Sequence, residues 1–321
     1  MEPKRIYASA RELTGDPRHY RLALVSAGVV VAANLLLLLL ETLIGHMLTD
    51  AIGLAALGKR TALMTVQSVC ELAVNILLPF WVYGFMQVAM EIARKGEPTY
   101  SSLLAGFRRF GPLLRLMLLE TLIASGFIML AVWGSSMLYM LSPFAARIIE
   151  DITPALEQAQ TITDSAALSA LMEPVMEEML KDLWPFYLLL ALSLGVLLIP
   201  WLYKLRLAPY HILDGENGAL RAMALSKYEM HGNRFAMFLL DLRWWWYYGL
   251  LILSAAPLYI YTYVGGSEAF LWLMTLVSLG LQLVAEWLLM PRVQTSYALA
   301  YDALKRKDKT DVPPIGTPPQ F

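Results

Sequence analysis

Six polar side chains interrupt otherwise apolar stretches of this sequence: Glu41, Glu71, Asn75, Glu120, Gln282 and Glu286. A carboxylate inside hydrocarbon is costly, so it faces a helix-bundle interior or a wet cavity. Burial favours its neutral form, which suits proton transfer. Two chemistries fit. One is proton-coupled transport through these glutamates. The other is structural, with protonated or hydrogen-bonded carboxyls linking helices. Other reactive groupings are sparse. The four histidines, His19, His46, His211 and His231, are dispersed and form no HxxxH or HExxH pair. No phosphate-binding glycine loop, GxGxxG or Gly-x-Ser-x-Gly motif occurs. His211, Asp214 and His231 are the scattered candidates for a lipid-modifying enzyme. Asp214-Gly215-Glu216-Asn217 reads as a turn, because a divalent cation needs more carboxylates at alternate spacing. The sequence therefore predicts no enzyme, no cofactor and no metal site.

These residues must be positioned by membrane helices. The 321 residues are 58% hydrophobic and 16% charged, whereas soluble domains carry about 25% charged residues. The net charge of −1 argues against nucleic acid as a partner. The single cysteine, Cys70, rules out an intramolecular disulfide. Six segments approach or exceed the roughly 20 apolar residues that a crossing helix needs: 22–48, 62–93, 112–140, 184–205, 244–264 and 269–290. The first reads as a retained span rather than a cleaved signal, being too long for a signal-peptide core. The expected fold is all-α: a polytopic membrane bundle forming one domain over 1–307, with a disordered cytoplasmic tail at 308–321.

Basic residues set the orientation. With the N-terminus inside, segments 1–21, 94–111, 202–243 and 291–321 hold 20 of the 25 Lys and Arg residues. Both ends are then cytoplasmic. Trp244, Trp245 and Trp246 fall at the inner headgroup layer, as do Arg108, Arg109 and Arg234, making all six candidates for the lipid interface. Ile6, Ala10 and Leu13 share one face of an N-terminal helix, read equally as interfacial or as a solvated turn before the first span. Segment 142–183, with eight acids and two bases, predicts an external helical hairpin built from Ala145–Gln160 and Ser165–Trp184.

The inward-running spans each carry a proline, Pro79, Pro200 and Pro291. Proline removes a helical hydrogen bond and kinks the helix. Each is followed by a helical stretch reaching into the cytoplasm. Two amphipathic connections follow. One carries Leu103, Phe107 and Phe110. The other is capped at Asn217 and presents Leu220, Met223, Ala224 and Tyr228. Their junctions, Gly106-Phe107-Arg108-Arg109-Phe110 and Gly232-Asn233-Arg234-Phe235, are similar, and the pattern raises an internal duplication against chance.

Ala8-Ser9-Ala10-Arg11-Glu12-Leu13-Thr14-Gly15, Ala224-Leu225-Ser226-Lys227, Met230-His231-Gly232-Asn233-Arg234-Phe235 with Phe238, and Pro291 through Tyr297 and Tyr301 to Leu304 resemble one family. It is the bacterial integral membrane family catalogued as domain of unknown function 975. The resemblance spans roughly residues 4–307. It implies a helical protein of the bacterial inner membrane and carries no activity or catalytic residue. The external hairpin is longer than the resemblance leads one to expect. The leading expectation is a non-enzymatic module that binds the lipid bilayer or a membrane-protein partner; exposed apolar faces also permit a homo-oligomer. The alternative is the proton-coupled transporter or channel.

Overall fold

A computed structural model describes residues 2–16, 56–159, 181–215 and 217–307, with short pieces between residues 21 and 36 and at 171 and 179. The described residues are helical and turn-connected, with no strand among them. In chain order the helices are α1 (Pro3–Leu13), α2 (Ala56–Ala93), α3 (Ala105–Arg108), α4 (Phe110–Met140), α5 (Pro143–Ala159) and α6 (Trp184–Leu205). They continue as α7 (Ala208–Leu213), α8 (Ala219–Glu229), α9 (Arg234–Arg243), α10 (Trp245–Val264), α11 (Glu268–Val284) and α12 (Met290–Lys307). A 3-10 turn, Tyr100–Leu104, precedes α3, and a π turn, Ala285–Leu289, joins α11 to α12.

Four stretches are long and apolar enough to cross a bilayer: Ile76–Ala93, Phe110–Met140, Trp184–Asp214 and Ala269–Lys305. The expected spans 112–140 and 184–205 coincide with α4 and α6 to within two residues. Most of the first expected span, most of the second hairpin helix and the 308–321 tail lie outside the described residues.

The chain forms two compact units, Met1–Leu116 with Arg206–Phe321, and Met117–Leu205. The smaller unit is an antiparallel helix pair with an appended helix. Along the pair, Ser135 Oγ donates to Ser193 Oγ at 3.2 Å, and Phe127 meets Trp201 at 5.8 Å between ring centres. Near its end, Tyr139 OH donates to the Asp182 carbonyl at 3.0 Å. Polar groups face inward here, while Leu122, Met129 and Val196 are well exposed. A soluble protein rarely presents so continuous an apolar surface; hydrocarbon is its natural solvent. The first hairpin helix expected at 145–160 is α5.

In the larger unit, α12 is central. It packs against α2 and α1, and α1 also packs on α9. Ser296, Tyr297, Ala298, Ala300, Tyr301 and Leu304 of α12 are buried. Its small residues let neighbouring backbones approach closely. Ile6 and Ala10 of α1 are buried against protein, so this helix is docked rather than simply solvated. Phe85, Val88, Ile92, Leu103 and Met290 form one apolar cluster, with Leu22.

Local sequence explains the chain reversals. Gly265 and Gly266 adopt φ +68° and +147°, regions that favour glycine. Ser267 then caps α11, its Oγ accepting from the Phe270 amide at 3.3 Å. The α2 terminus is a Schellman turn: Gly96 N–H donates to Glu91 O at 2.8 Å and Lys95 N–H to Ile92 O at 3.0 Å. Lys95 therefore occupies the left-handed position at φ 57°, where glycine is usual. Pro79 and Pro200 lie inside α2 and α6. Before Pro291 the helix widens into the π turn, consistent with the hydrogen bond that proline cannot make. The chain stays helical for many residues beyond Pro79 and Pro291. After Pro200 it breaks at 206–207 and restarts as α7.

The two connections with similar junction sequences differ in structure. Residues 94–109 contain only the 3-10 turn and α3, whereas 206–244 contain three helices. The cap expected at Asn217 is instead at Gly218, and Asn217 Nδ2 donates to the His211 carbonyl at 3.1 Å. Helix α8 buries Ala219, Ala222, Ser226 and Glu229, while Leu220 and Tyr228 are exposed. The apolar positions of the amphipathic pattern thus form the exposed face, and the opposite face packs on α7.

Candidate functional site

Of the intramembrane polar residues, Glu120 is half-buried on the part of α4 that belongs to the smaller unit, and Gln282 and Glu286 are half-buried in the larger. Glu286 sits in the π turn. Glu41 and the side chains of Glu71 and Asn75 lie outside the described residues.

A different polar cluster does converge, in the larger unit. Helix α7 begins after the turn that follows α6 and is buried along its whole length. It carries Tyr210 and His211 inward and ends at Asp214. His211 Nε2 lies 2.8 Å from Glu229 Oε2 on α8, with both side chains about 95% buried. Its Nδ1 lies 3.4 Å from Tyr301 OH on α12. Tyr301 OH donates to Asp214 Oδ2 at 3.1 Å. Asp214 also pairs with Lys305 and, at 2.6 Å, with Arg94 beyond the end of α2. Arg94 completes the cluster by bridging to Asp302 at 2.8 Å. Hydrogen bonds donated to Asp302 and Asp214 hold the Arg94 guanidinium more firmly protonated than usual.

A second branch lies beside it. Arg206 Nη2 reaches Asp241 Oδ1 at 3.2 Å and Tyr248 OH at 3.3 Å, with its guanidinium 4.4 Å from the Tyr297 ring centre. Tyr297 OH donates to Asp241, and Tyr248 OH contacts Tyr297 OH at 2.6 Å. Tyr210 OH donates to Gln294 Oε1 at 3.1 Å. Trp244 Nε1 donates to Ser296 Oγ at 2.9 Å. Trp244 was expected at the lipid interface with its neighbours, but it is 5% exposed, because the chain turns at 244 and points this ring inward. Trp245 and Trp246 are exposed and stacked, with ring centres 3.6 Å apart.

Each carboxylate of this seam faces a base. Asp214 has Arg94 and Lys305, Asp302 has Arg94, Asp241 has Arg206, and Glu229 has His211. Such an arrangement satisfies buried charge and fixes geometry. His231, the third scattered candidate for enzyme chemistry, is exposed. Among the described residues no group of three or more His, Cys, Asp or Glu side chains is placed to hold a metal ion. Tyr210 and Asp241 of this seam were not singled out in the sequence, and Tyr297 and Tyr301 entered only through the family resemblance. Their partners lie far along the chain, and no periodicity reports such pairs.

The connection between α2 and α4 makes a polar groove of about 470 Å³. Its walls carry Arg108 and Arg109, Glu91 and Glu97, Gln87 and Thr99. Ser102 Oγ donates to Glu91 Oε2 at 2.7 Å, and Gln87 Nε2 to Glu91 Oε1 at 3.1 Å. Gln87 Oε1 is buried with no partner among the described residues. The connection lies tightly on α2. A Cβ on Gly84 would lie 1.7 Å from the Leu103 carbonyl oxygen, and one on Gly106 would lie 1.9 Å from that of Phe80. Backbone meets backbone here because neither glycine carries a side chain. An apolar recess of about 320 Å³ borders Pro79, lined also by Leu78, Val82 and Tyr83. Arg234 is half-buried at the start of α9.

An apolar helical fold tied by a saturated polar seam defines a structural class rather than a reaction. Residues 28–308 match the family described as "Protein of unknown function (DUF975)", and the chain belongs to that family. No curated protein and no solved structure matches the chain.

Proposed function

We propose that this chain is a six-span protein of the bacterial inner membrane, with both ends cytoplasmic, acting as a non-enzymatic module that engages lipids or partner proteins. Helix α10 would supply the fifth span and residues 22–48 the first. The observation that carries this reading is the charge-matched seam. It joins α2, α7, α8 and α12 into a fixed platform, and its carboxylates are already paired with bases. Around that platform stand exposed Arg108, Phe107, Phe235, Trp245 and Trp246, the residue types that favour a headgroup layer. The 20-of-25 bias of basic residues supports the orientation.

The test is purification in mild detergent, followed by lipid analysis and partner identification. A reproducibly enriched lipid or protein is expected. Recovery of neither would remove this reading. Orientation is tested with single cysteines placed at Ser101 and Ser267 in a Cys70→Ala background. An impermeant maleimide added to intact cells should label position 267 and spare position 101.

A second reading is proton-coupled transport. It is favoured by Glu120 and Glu286, each half-buried in an apolar helix and without a hydrogen-bond partner among the described residues. Protein in liposomes should then show proton flux that Glu120→Gln or Glu286→Gln abolishes. Absence of flux under every imposed gradient would remove the reading.

A further inference from the structure

We propose that the groove where the 94–109 connection lies on α2 holds the headgroup of a phosphatidylethanolamine, with the phosphate on Arg108 and Arg109 and the ammonium on Glu91. The inference rests on the reading of this face as a lipid-engaging surface and names the lipid. Four observations converge on it.

First, the groove carries both signs of charge. Arg108 and Arg109 form no ion pair among the described residues, and guanidinium groups suit phosphate oxygens in fork geometry. Among the described residues Glu91 accepts hydrogen bonds from the neutral donors Ser102 and Gln87 alone, at 2.7 and 3.1 Å. These donors orient the carboxylate without neutralising it. A purely anionic headgroup would answer the arginines and leave this carboxylate facing a like charge. A choline headgroup would bring a cation with no N–H to donate. A primary ammonium answers both needs.

Second, Glu91 is fixed in place. Gln87 Nε2 donates to it at 3.1 Å, and the Gln87 amide oxygen is itself buried. The carboxylate that lines the groove is thereby held where an ammonium can donate to it.

Third, the groove lies where the apolar part of α2 ends at Ala93 and that of α4 begins at Phe110. That is headgroup depth for helices that cross a bilayer. The same connection exposes Tyr100, Leu104 and Phe107, which offer apolar contact toward acyl chains. Fourth, Gly84 and Gly106 press this connection directly onto α2. The site is thereby formed in advance, and its volume of about 470 Å³ falls within the range of about 300–1,000 Å³ usual for small-molecule sites.

Full-length protein is delipidated and titrated, by native mass spectrometry, with short-chain phosphatidylethanolamine, phosphatidylglycerol, and water-soluble phosphoethanolamine. Saturable binding of one phosphatidylethanolamine is expected, about tenfold tighter than phosphatidylglycerol. Arg108→Gln with Arg109→Gln should weaken both lipids. Glu91→Gln should weaken phosphatidylethanolamine alone and so erase the preference. Thermal melting checks folding, and the exposed Arg108 and half-exposed Arg109 make the double variant the safer control. Equal binding of the two lipids would overturn the proposal, as would a Glu91→Gln protein that folds and keeps its preference. Phosphoethanolamine binding as tightly as the lipid would assign the groove to a soluble ligand and overturn the lipid assignment. If another lipid or a protein partner is enriched while phosphatidylethanolamine does not saturate, this proposal falls and the broader reading stands. If nothing is enriched, both fall.

Discussion

The connections 94–109 and 206–244 follow proline-bearing helices and end in similar junction sequences, yet they are held in opposite ways. The first is held by what is missing. Gly84 and Gly106 lack side chains, so backbone lies on backbone. The second is held by what is present, as polar side chains tie α8 to α7 and tie α7 and α9 to α12. The glycines of the two junctions also do different work. Gly106 is buried in α3 at a close approach, whereas Gly232 has open space around it and supplies a turn with φ +75°. Similar junction letters therefore do not imply similar packing, and the structural likeness expected of a duplication is absent from these connections.

The difference can be broken at four places. The largest effect is expected for Gly84→Ala or Gly106→Ala, because the new methyl meets a carbonyl that cannot swing aside. Each should cost about 3 kcal/mol of stability, read as a lowered melting temperature in detergent. Next is Asp214→Ala, which leaves Arg94 and Lys305 without their shared carboxylate. A loss of about 2 kcal/mol is expected, less than for a fully buried pair because both bases are partly exposed. A melt unchanged by this substitution would deny the seam a stabilising role.

Gly232→Ala is the direct counterpart of Gly106→Ala. It meets no atom within 4 Å, so only backbone conformation opposes it, at about 1 kcal/mol. Equal losses at the two glycines would refute the contrast drawn between the junctions. The smallest effect is a gain. Lys95→Gly relieves the left-handed residue at φ 57° and should stabilise by about 0.5–1 kcal/mol, reduced by the added freedom of the unfolded chain. A clear loss there would mean that the lysine side chain contributes more than its backbone costs.

Much of the helical framework was legible because hydrocarbon imposes a simple rule. Long apolar runs without charge are visible along the chain, and α4 and α6 matched them closely. The seam was not legible. Arg94 meets residues 120 and 208 positions away, and His211 meets one 90 away. Helical periodicity relates only near neighbours. Trp244 shows a finer failure. Three tryptophans in a row suggest one environment, but a single turn residue sends the first inward and leaves two outside. On α8, Leu220 faces out while Ser226 and Glu229 face in. Periodicity marks the apolar face of α8 but does not say which face meets protein.

The position of α12 in the chain has a consequence for biogenesis. Every partner that its side chains hold, on α1, α2, α7, α9 and α10, is synthesised earlier. During translation Tyr210, Trp244 and Asp241 wait at the membrane for Gln294, Ser296 and Tyr297. A nascent chain stopped before Met290 would present these groups without their α12 partners, a mark of incompleteness. Surveillance proteases could read that mark without recognising any sequence.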